Sequence, residues 1–171
     1  MGVGCGICWL IIGLILFLVS IGTVEPIEYG IVYNSIQKSV NTEEIYAGGW
    51  YLIGPVNSFV TFPSTLVNMD FTEFANATAK PIIVKDSDGQ EIRLSMSLQY
   101  KLHKDDIGKL YTEYKTDYEN TFVSYTDSVV RKKVGTFNST AFWSARKAST
   151  ELLRDEIDKK LNEVYASCVN L

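Results

Sequence analysis

No charged residue occurs before Glu25, so all 16 basic and 20 acidic residues of the 171-residue chain lie after Val24. That absence separates an apolar leader from a remainder whose charge is normal for a folded domain and whose length suffices to bury one core. Histidine is scarcer still, since His103 stands alone, and with only three cysteines the chain is short of metal ligands and catalytic bases. Cys5, Cys8 and Cys168 are also too few and too scattered for a disulfide scaffold. No GxSxG, HExxH or phosphate-loop pattern occurs, so neither a cofactor nor enzymatic activity is expected. Clusters of Lys and Arg are missing and the formal charge is -4, which excludes nucleic acid as a partner.

What the leader does have is hydrophobicity. From Val3 to Val24 it reads VGCGICWLIIGLILFLVSIGTV. That is about 22 residues, and as a helix rising about 1.5 Å per residue it spans roughly 33 Å, enough to cross a bilayer. The predicted anchor residues are Trp9, Leu10, Ile11, Ile12, Leu14, Ile15, Leu16, Phe17, Leu18 and Val19. A cleaved signal peptide has a shorter apolar centre behind a basic start, and no Lys or Arg precedes this one. A retained single-pass transmembrane helix is therefore expected, with cleavage near Ser20 and Gly22 as the alternative. Glu25 and Glu28, rather than basic residues, follow the run, which places the folded domain on the non-cytoplasmic side. Gly2 opens an incomplete myristoylation pattern, because Gly6 stands where Ser or Thr is required. Cys5 and Cys8 could carry acyl chains, although small residues at a helix end are the simpler reading.

The remainder is predicted to be α+β, with antiparallel strands over residues 26–102 and helices over 104–168. Strand signals are Ile27 to Tyr33, Trp50 to Ile53, Phe59 to Phe62 and Thr65 to Thr72. The clearest element is a hairpin from Pro81 through Ser87-Asp88-Gly89 to Leu102, in which Ile92, Leu94, Met96, Leu98 and Tyr100 alternate toward one buried face. Helical recurrences follow in Ile107, Leu110, Tyr111 and Tyr114, then Tyr118, Phe122, Tyr125, Val129 and Val130. The last helix carries Phe142, Ala145, Ala148, Leu152, Ile157, Leu161 and Val164.

Three further features bear on function. Trp50, Tyr51, Leu52, Ile53 and Pro55 form an apolar stretch that suits either a membrane interface or an ordinary core strand between turns. In the last helix, Arg154–Asp158, Asp155–Lys159 and Glu156–Lys160 are opposite charges four apart, either a solvated face or a surface for self-association through Arg154, Asp155, Asp158, Lys159 and Lys160. Asn76-Ala77-Thr78 and Asn138-Ser139-Thr140 match the N-glycosylation pattern, which matters only if the domain is lumenal or extracellular. Asp105 and Asp106 beside His103 read as helix-capping acids.

The stretches TVEPIEYGIVY (23–33), GGWYLIGP (48–55), DSDGQEIRLSMSLQY (86–100) and VVRKKVGTFNSTAFWSAR (129–146), in that order behind an apolar segment, resemble the SPFH or band 7 family of stomatins, prohibitins and flotillins. The resemblance implies an anchor over residues 1–25 and an SPFH domain over 26–171, a membrane-apposed loop at Trp50 to Pro55, and no enzymatic activity. It further implies a scaffold that oligomerises and organises membrane microdomains or membrane protein complexes. The implied partners are the lipid bilayer, like SPFH chains and membrane-protein clients, at the plasma membrane, an endomembrane or the mitochondrial inner membrane. The family continues its long helix into another strand and a coiled coil, whereas this chain stops at Leu171. That departure points to the alternative of a monomeric accessory subunit docked on one large membrane complex.

Overall fold

The computed structural model describes residues 3–137, 144 and 146–171. Two compact units follow one another along the chain, Met1–Ser64 and Thr65–Leu171.

The first unit opens with helix α1 (Val3–Val19) and holds strands β1 (Ile21–Val24), β2 (Glu28–Asn34), β3 (Ser39–Tyr46), β4 (Gly49–Leu52) and β5 (Asn57–Pro63). The sequence predicts one helix through Val24; the structure ends it at Val19 and turns the next residues into β1. The Ser20 N–H still donates to the carbonyls of Leu16 and Phe17, but the Ser20 carbonyl accepts from the N–H groups of Ile53 and Gly54 instead of continuing the helix. Ile21, Thr23 and Val24 are β-branched, and Gly22 is a poor helix former, so the local preference already favours extension. Antiparallel pairing with β4 then sets Ile21 opposite Leu52, Gly22 opposite Tyr51 and Thr23 opposite Trp50.

The other strands of this unit form a sheet in the order β3-β2-β5. β2 pairs with β5 in unbroken register from Glu28 opposite Pro63 to Asn34 opposite Asn57. Against β3 the register slips, since Gly30 faces Tyr46 while Val32 faces Asn41. The longer β3 segment must bulge outward there. Tyr46, Tyr51 and Phe59 stack edge to face, with ring centroids 4.8 to 5.9 Å apart. A Cβ at Gly22 or at Gly30 would lie within 2.9 Å of the Phe59 ring, so both positions exclude a side chain.

The second unit contains β6 (Val67–Phe71), β7 (Ile82–Lys85), β8 (Glu91–Leu94), β9 (Met96–Leu102), a 3₁₀ turn (Lys104–Asp106), α2 (Ile107–Tyr114), α3 (Tyr118–Val134), α4 (Arg146–Asn162) and β10 (Ala166–Asn170). β9 lies between β10 and β6, and β7 pairs with β8 as a separate hairpin. The strand predicted as continuous from Glu91 to Leu102 is thus two strands broken at Ser95. The Asp-Gly turn forms as its residues require: Asp86 Oδ1 accepts from the N–H groups of Asp88 and Gln90, and Gly89 adopts a φ of 80°. Helix was predicted through residue 168 with no closing strand; α4 instead ends at Asn162, and β10 follows, with Ala166 facing Leu102 and Cys168 facing Tyr100.

The core of this unit gathers Met69, Phe71, Leu98, Tyr100 and Leu102 from the sheet with Ile107, Leu110, Phe122, Val130, Leu153, Ile157 and Leu161 from the helices. Phe122 packs edge to face on Tyr100 and Tyr118, at 5.2 and 5.5 Å. The buried stripes run at spacing four, Phe122, Thr126, Val130 and Val134 on α3 and Ser149, Leu153, Ile157 and Leu161 on α4. Of the predicted stripe, Phe142 and Ala145 lie outside the described residues, and Leu152 is exposed while the adjacent Leu153 is buried.

Candidate membrane-facing surface and assembly helix

Helix α1 has no polar face. Every large side chain described on it, Ile11, Ile12 and Leu14 through Val19, is between 44% and 60% exposed. A helix that is apolar all round belongs in an apolar environment, which water is not. At 17 residues its length is about 26 Å, against a hydrocarbon layer of about 30 Å. Among the described residues no helix is long and apolar enough to cross a membrane. Trp9 and Leu10 lie on α1, but their side chains fall outside the described set, as Gly2 does altogether.

The chain leaves α1 directly into the β1–β4 pair, and the strand period of two sorts the Trp50 to Pro55 stretch into two faces. Trp50 and Leu52 point outward, 80% and 66% exposed. Their cross-strand partners Thr23 and Ile21 share that face. Tyr51 points the other way into the aromatic cluster, and its hydroxyl donates to the Ala47 carbonyl at 3.0 Å. Ile53 packs where Gly22 leaves room, and Pro55 is exposed beyond Gly54, whose φ of 92° suits only glycine. The stretch is therefore a packed strand on one side and an uncovered apolar face on the other.

On α4 the predicted four-apart ion pairs do not form. Asp158 Oδ1 accepts from the Cys168 N–H at 2.8 Å and its Oδ2 accepts from Asn162 Nδ2 at 3.0 Å, so that carboxylate fastens β10. Glu156 pairs with Lys133 of α3 at 3.3 Å, and Lys160 pairs with Glu163 while lying 5.4 Å from the Tyr125 ring centre. The hydrogen bond from Lys160 holds the Glu163 carboxyl below its ordinary range. Arg154, Asp155 and Lys159 remain exposed.

His103 gains a partner that its neighbours in sequence do not reveal. Its Nε2 hydrogen-bonds Ser167 Oγ on β10, and its backbone N–H donates to Tyr165. Asp106 Oδ2 is 4.0 Å from Nδ1, beyond hydrogen-bonding distance, while Asp106 Oδ1 accepts from Lys109 at 2.6 Å. Although serine, histidine and aspartate meet here, the geometry is that of a clasp between the 3₁₀ turn and β10. Asp106 does not cap α2 with its side chain as predicted, being committed to Lys109. Among the described residues no cluster of three or more His, Cys, Asp or Glu is arranged to hold a metal.

Asn76 sits exposed in the turn after β6, whereas Asn138 lies outside the described residues. An apolar helix followed by antiparallel strands and then by helices that pack on the second sheet defines the class of protein. The family model for the SPFH domain / Band 7 family matches residues 23–166, and the chain belongs to that family. The match begins inside β1, in agreement with the assignment of Thr23 and Val24 to the folded part rather than to the apolar helix. A comparison with curated proteins gives no match.

Proposed function

We propose that this chain is a membrane-attached SPFH scaffold that self-associates and organises membrane microdomains or membrane protein complexes. The observation that supports this reading is the apolar surface of the first unit, where the side chains of α1 from Ile11 to Val19 are exposed and the chain leads directly into the strand pair that carries Trp50 and Leu52 on its outward face. In this reading α1 inserts into the bilayer as a single apolar segment, and Trp50 lies at headgroup level, where aromatic rings partition best. The domain lies on the non-cytoplasmic side, since Glu25 and Glu28 follow the helix. Family membership supports a scaffold rather than an enzyme, because SPFH proteins generally associate with membranes and assemble. Self-association draws on the exposed part of α4, with Arg154, Asp155 and Lys159 available.

The test is the mass of the full chain reconstituted in lipid nanodiscs and vesicles. Assemblies of several copies that float with the lipid are expected. A single-copy mass would replace the scaffold with an accessory subunit, and failure to float would remove the membrane attachment itself.

A further inference from the structure

The internal ion pairs of α4 raise a question about what it meets in an assembly. Glu156, Asp158 and Glu163 are all committed within the chain, to Lys133, to the Cys168 N–H and to Lys160. Lysines, by contrast, are in surplus. Lys132 and Lys133 from the last turn of α3 and Lys159 and Lys160 from the last turn of α4 converge on one cleft of about 260 Å³, shared with Glu156 and Glu163. Lys132 and Lys159 form no ion pair among the described residues. Basic residues at a helix C-terminus complement the helix dipole, but that effect needs only one per helix and does not require both helices to aim theirs into the same cleft.

The opposite imbalance occurs in the first unit, whose carboxylates Glu25, Glu28, Glu43 and Glu44 face Lys38 as the only basic residue before Thr65. Two of them, Glu43 and Glu44, are adjacent on β3, where the slip between the Gly30–Tyr46 and Val32–Asn41 pairings pushes the strand outward. Both are exposed on the edge strand of the sheet and form no ion pair among the described residues; Glu44 only accepts from the Tyr46 hydroxyl at 2.6 Å. A charged bulge protects a sheet edge from indiscriminate pairing and at the same time presents a convex acidic knob.

We infer that the occupant of the lysine cleft is the Glu43–Glu44 bulge of a second copy of this chain. The inference rests on the self-association proposed above and names its contact. A convex acidic patch whose Glu43 and Glu44 form no ion pair among the described residues and a concave basic one whose Lys132 and Lys159 form none are complementary in shape and in sign. Each copy carries one knob and one cleft, so knob-in-cleft contacts either pair two copies reciprocally or link copies head to tail. Exposed charge pairs are individually weak, so assembly also relies on α1 concentrating copies in the membrane plane.

The experiment is a charge swap in the full chain in nanodiscs, read by native mass, with circular dichroism showing that each variant is folded. Lys132→Glu with Lys159→Glu, and separately Glu43→Lys with Glu44→Lys, should each weaken assembly about tenfold or more, and combining all four should restore it. The neutral variants Lys132→Gln/Lys159→Gln and Glu43→Gln/Glu44→Gln should weaken it less, and added salt should weaken the wild type in parallel. Folded single-sided variants with wild-type mass, or a fourfold variant that stays dissociated, overturn the knob-and-cleft contact while leaving self-association in place. A monomeric wild type overturns the assembly reading itself.

Discussion

Replacing Gly22 with leucine separates an apolar helix that runs to Val24 from one that ends at Val19. Were residue 22 helical within an apolar segment, leucine would favour the helix by about 0.8–1 kcal/mol over glycine. In the structure Gly22 is the second residue of β1, and a Cβ there would sit 2.6 Å from Ile53 Cδ1 and 2.8 Å from a Phe59 ring carbon. Carbon atoms pack comfortably at about 3.5–4.0 Å, so even the first added atom must displace its neighbours. The Ile53 methyl can swing aside, but the Phe59 ring is wedged between Tyr46 and Tyr51 and against Gly30. Overpacking of this kind costs about 1–3 kcal/mol, and the loss of glycine's freedom in the unfolded chain offsets about 0.4–1 kcal/mol of it. A net destabilisation of about 1–2 kcal/mol is expected, read as a lower denaturant midpoint in mild detergent by Trp50 fluorescence in a Trp9→Phe/Trp143→Phe background. Gly13→Leu serves as the control, because a Cβ at Gly13, within α1, meets nothing within 4 Å. If both leucines left the midpoint unchanged or raised it, the assignment of Ile21–Val24 to a packed strand would be refuted.

Two further predictions concern the second unit. Phe122→Ala removes a fully buried ring from contact with Tyr100 and Tyr118 and should cost about 3–5 kcal/mol in chemical unfolding, whereas Leu152→Ala, on the exposed side of α4, should cost under about 1 kcal/mol. Burial pushes the Tyr118 phenol up to about 12 from 10.0. The folded state therefore retains this proton while the unfolded state loses it. Stability should be unaffected below about pH 10 and should fall between about pH 10 and 12 by roughly 1.4 kcal/mol per unit from this group. Tyr118→Phe should shallow that alkaline slope without abolishing it, because burial raises Tyr100 in the same direction; an unchanged slope would contradict the assignment.

Legibility in the sequence followed the range of the interactions. The β7–β8 hairpin was readable because Asp88-Gly89 fixes the turn, and the alternation of Ile92 on β8 with Leu98 and Tyr100 on β9 marks buried faces, both local signals. β3 went unseen because SVNTEEIY is polar on both faces and bulged, with nothing periodic to detect. The end of α1 could not be located from the absence of charge, since IGTV is as uncharged as what precedes it and pairing with Gly49–Leu52, distant in sequence, makes it a strand. The same holds for the clasp between His103 and Ser167, for Asp158 on the β10 backbone, and for the lysine cleft, whose halves belong to α3 and α4. On α4 the sequence supplied the right charges but the wrong partners, because spacing along one helix says nothing of the neighbouring α3.

The membrane-facing role proposed for the β1–β4 surface is tested most directly with Trp50 as the sole tryptophan, Trp9 and Trp143 being replaced by phenylalanine. In vesicles containing brominated lipids, Trp50 emission should shift to the blue and be quenched more by bromines near the headgroups than by bromines near the chain ends. The double variant Leu52→Glu/Ile21→Glu, which keeps α1 intact, should reduce that quenching. Emission from Trp50 that stays at its water-exposed wavelength and is indifferent to both quenchers, in protein that floats with the vesicles, would contradict a bilayer-apposed domain and leave α1 as the only membrane contact.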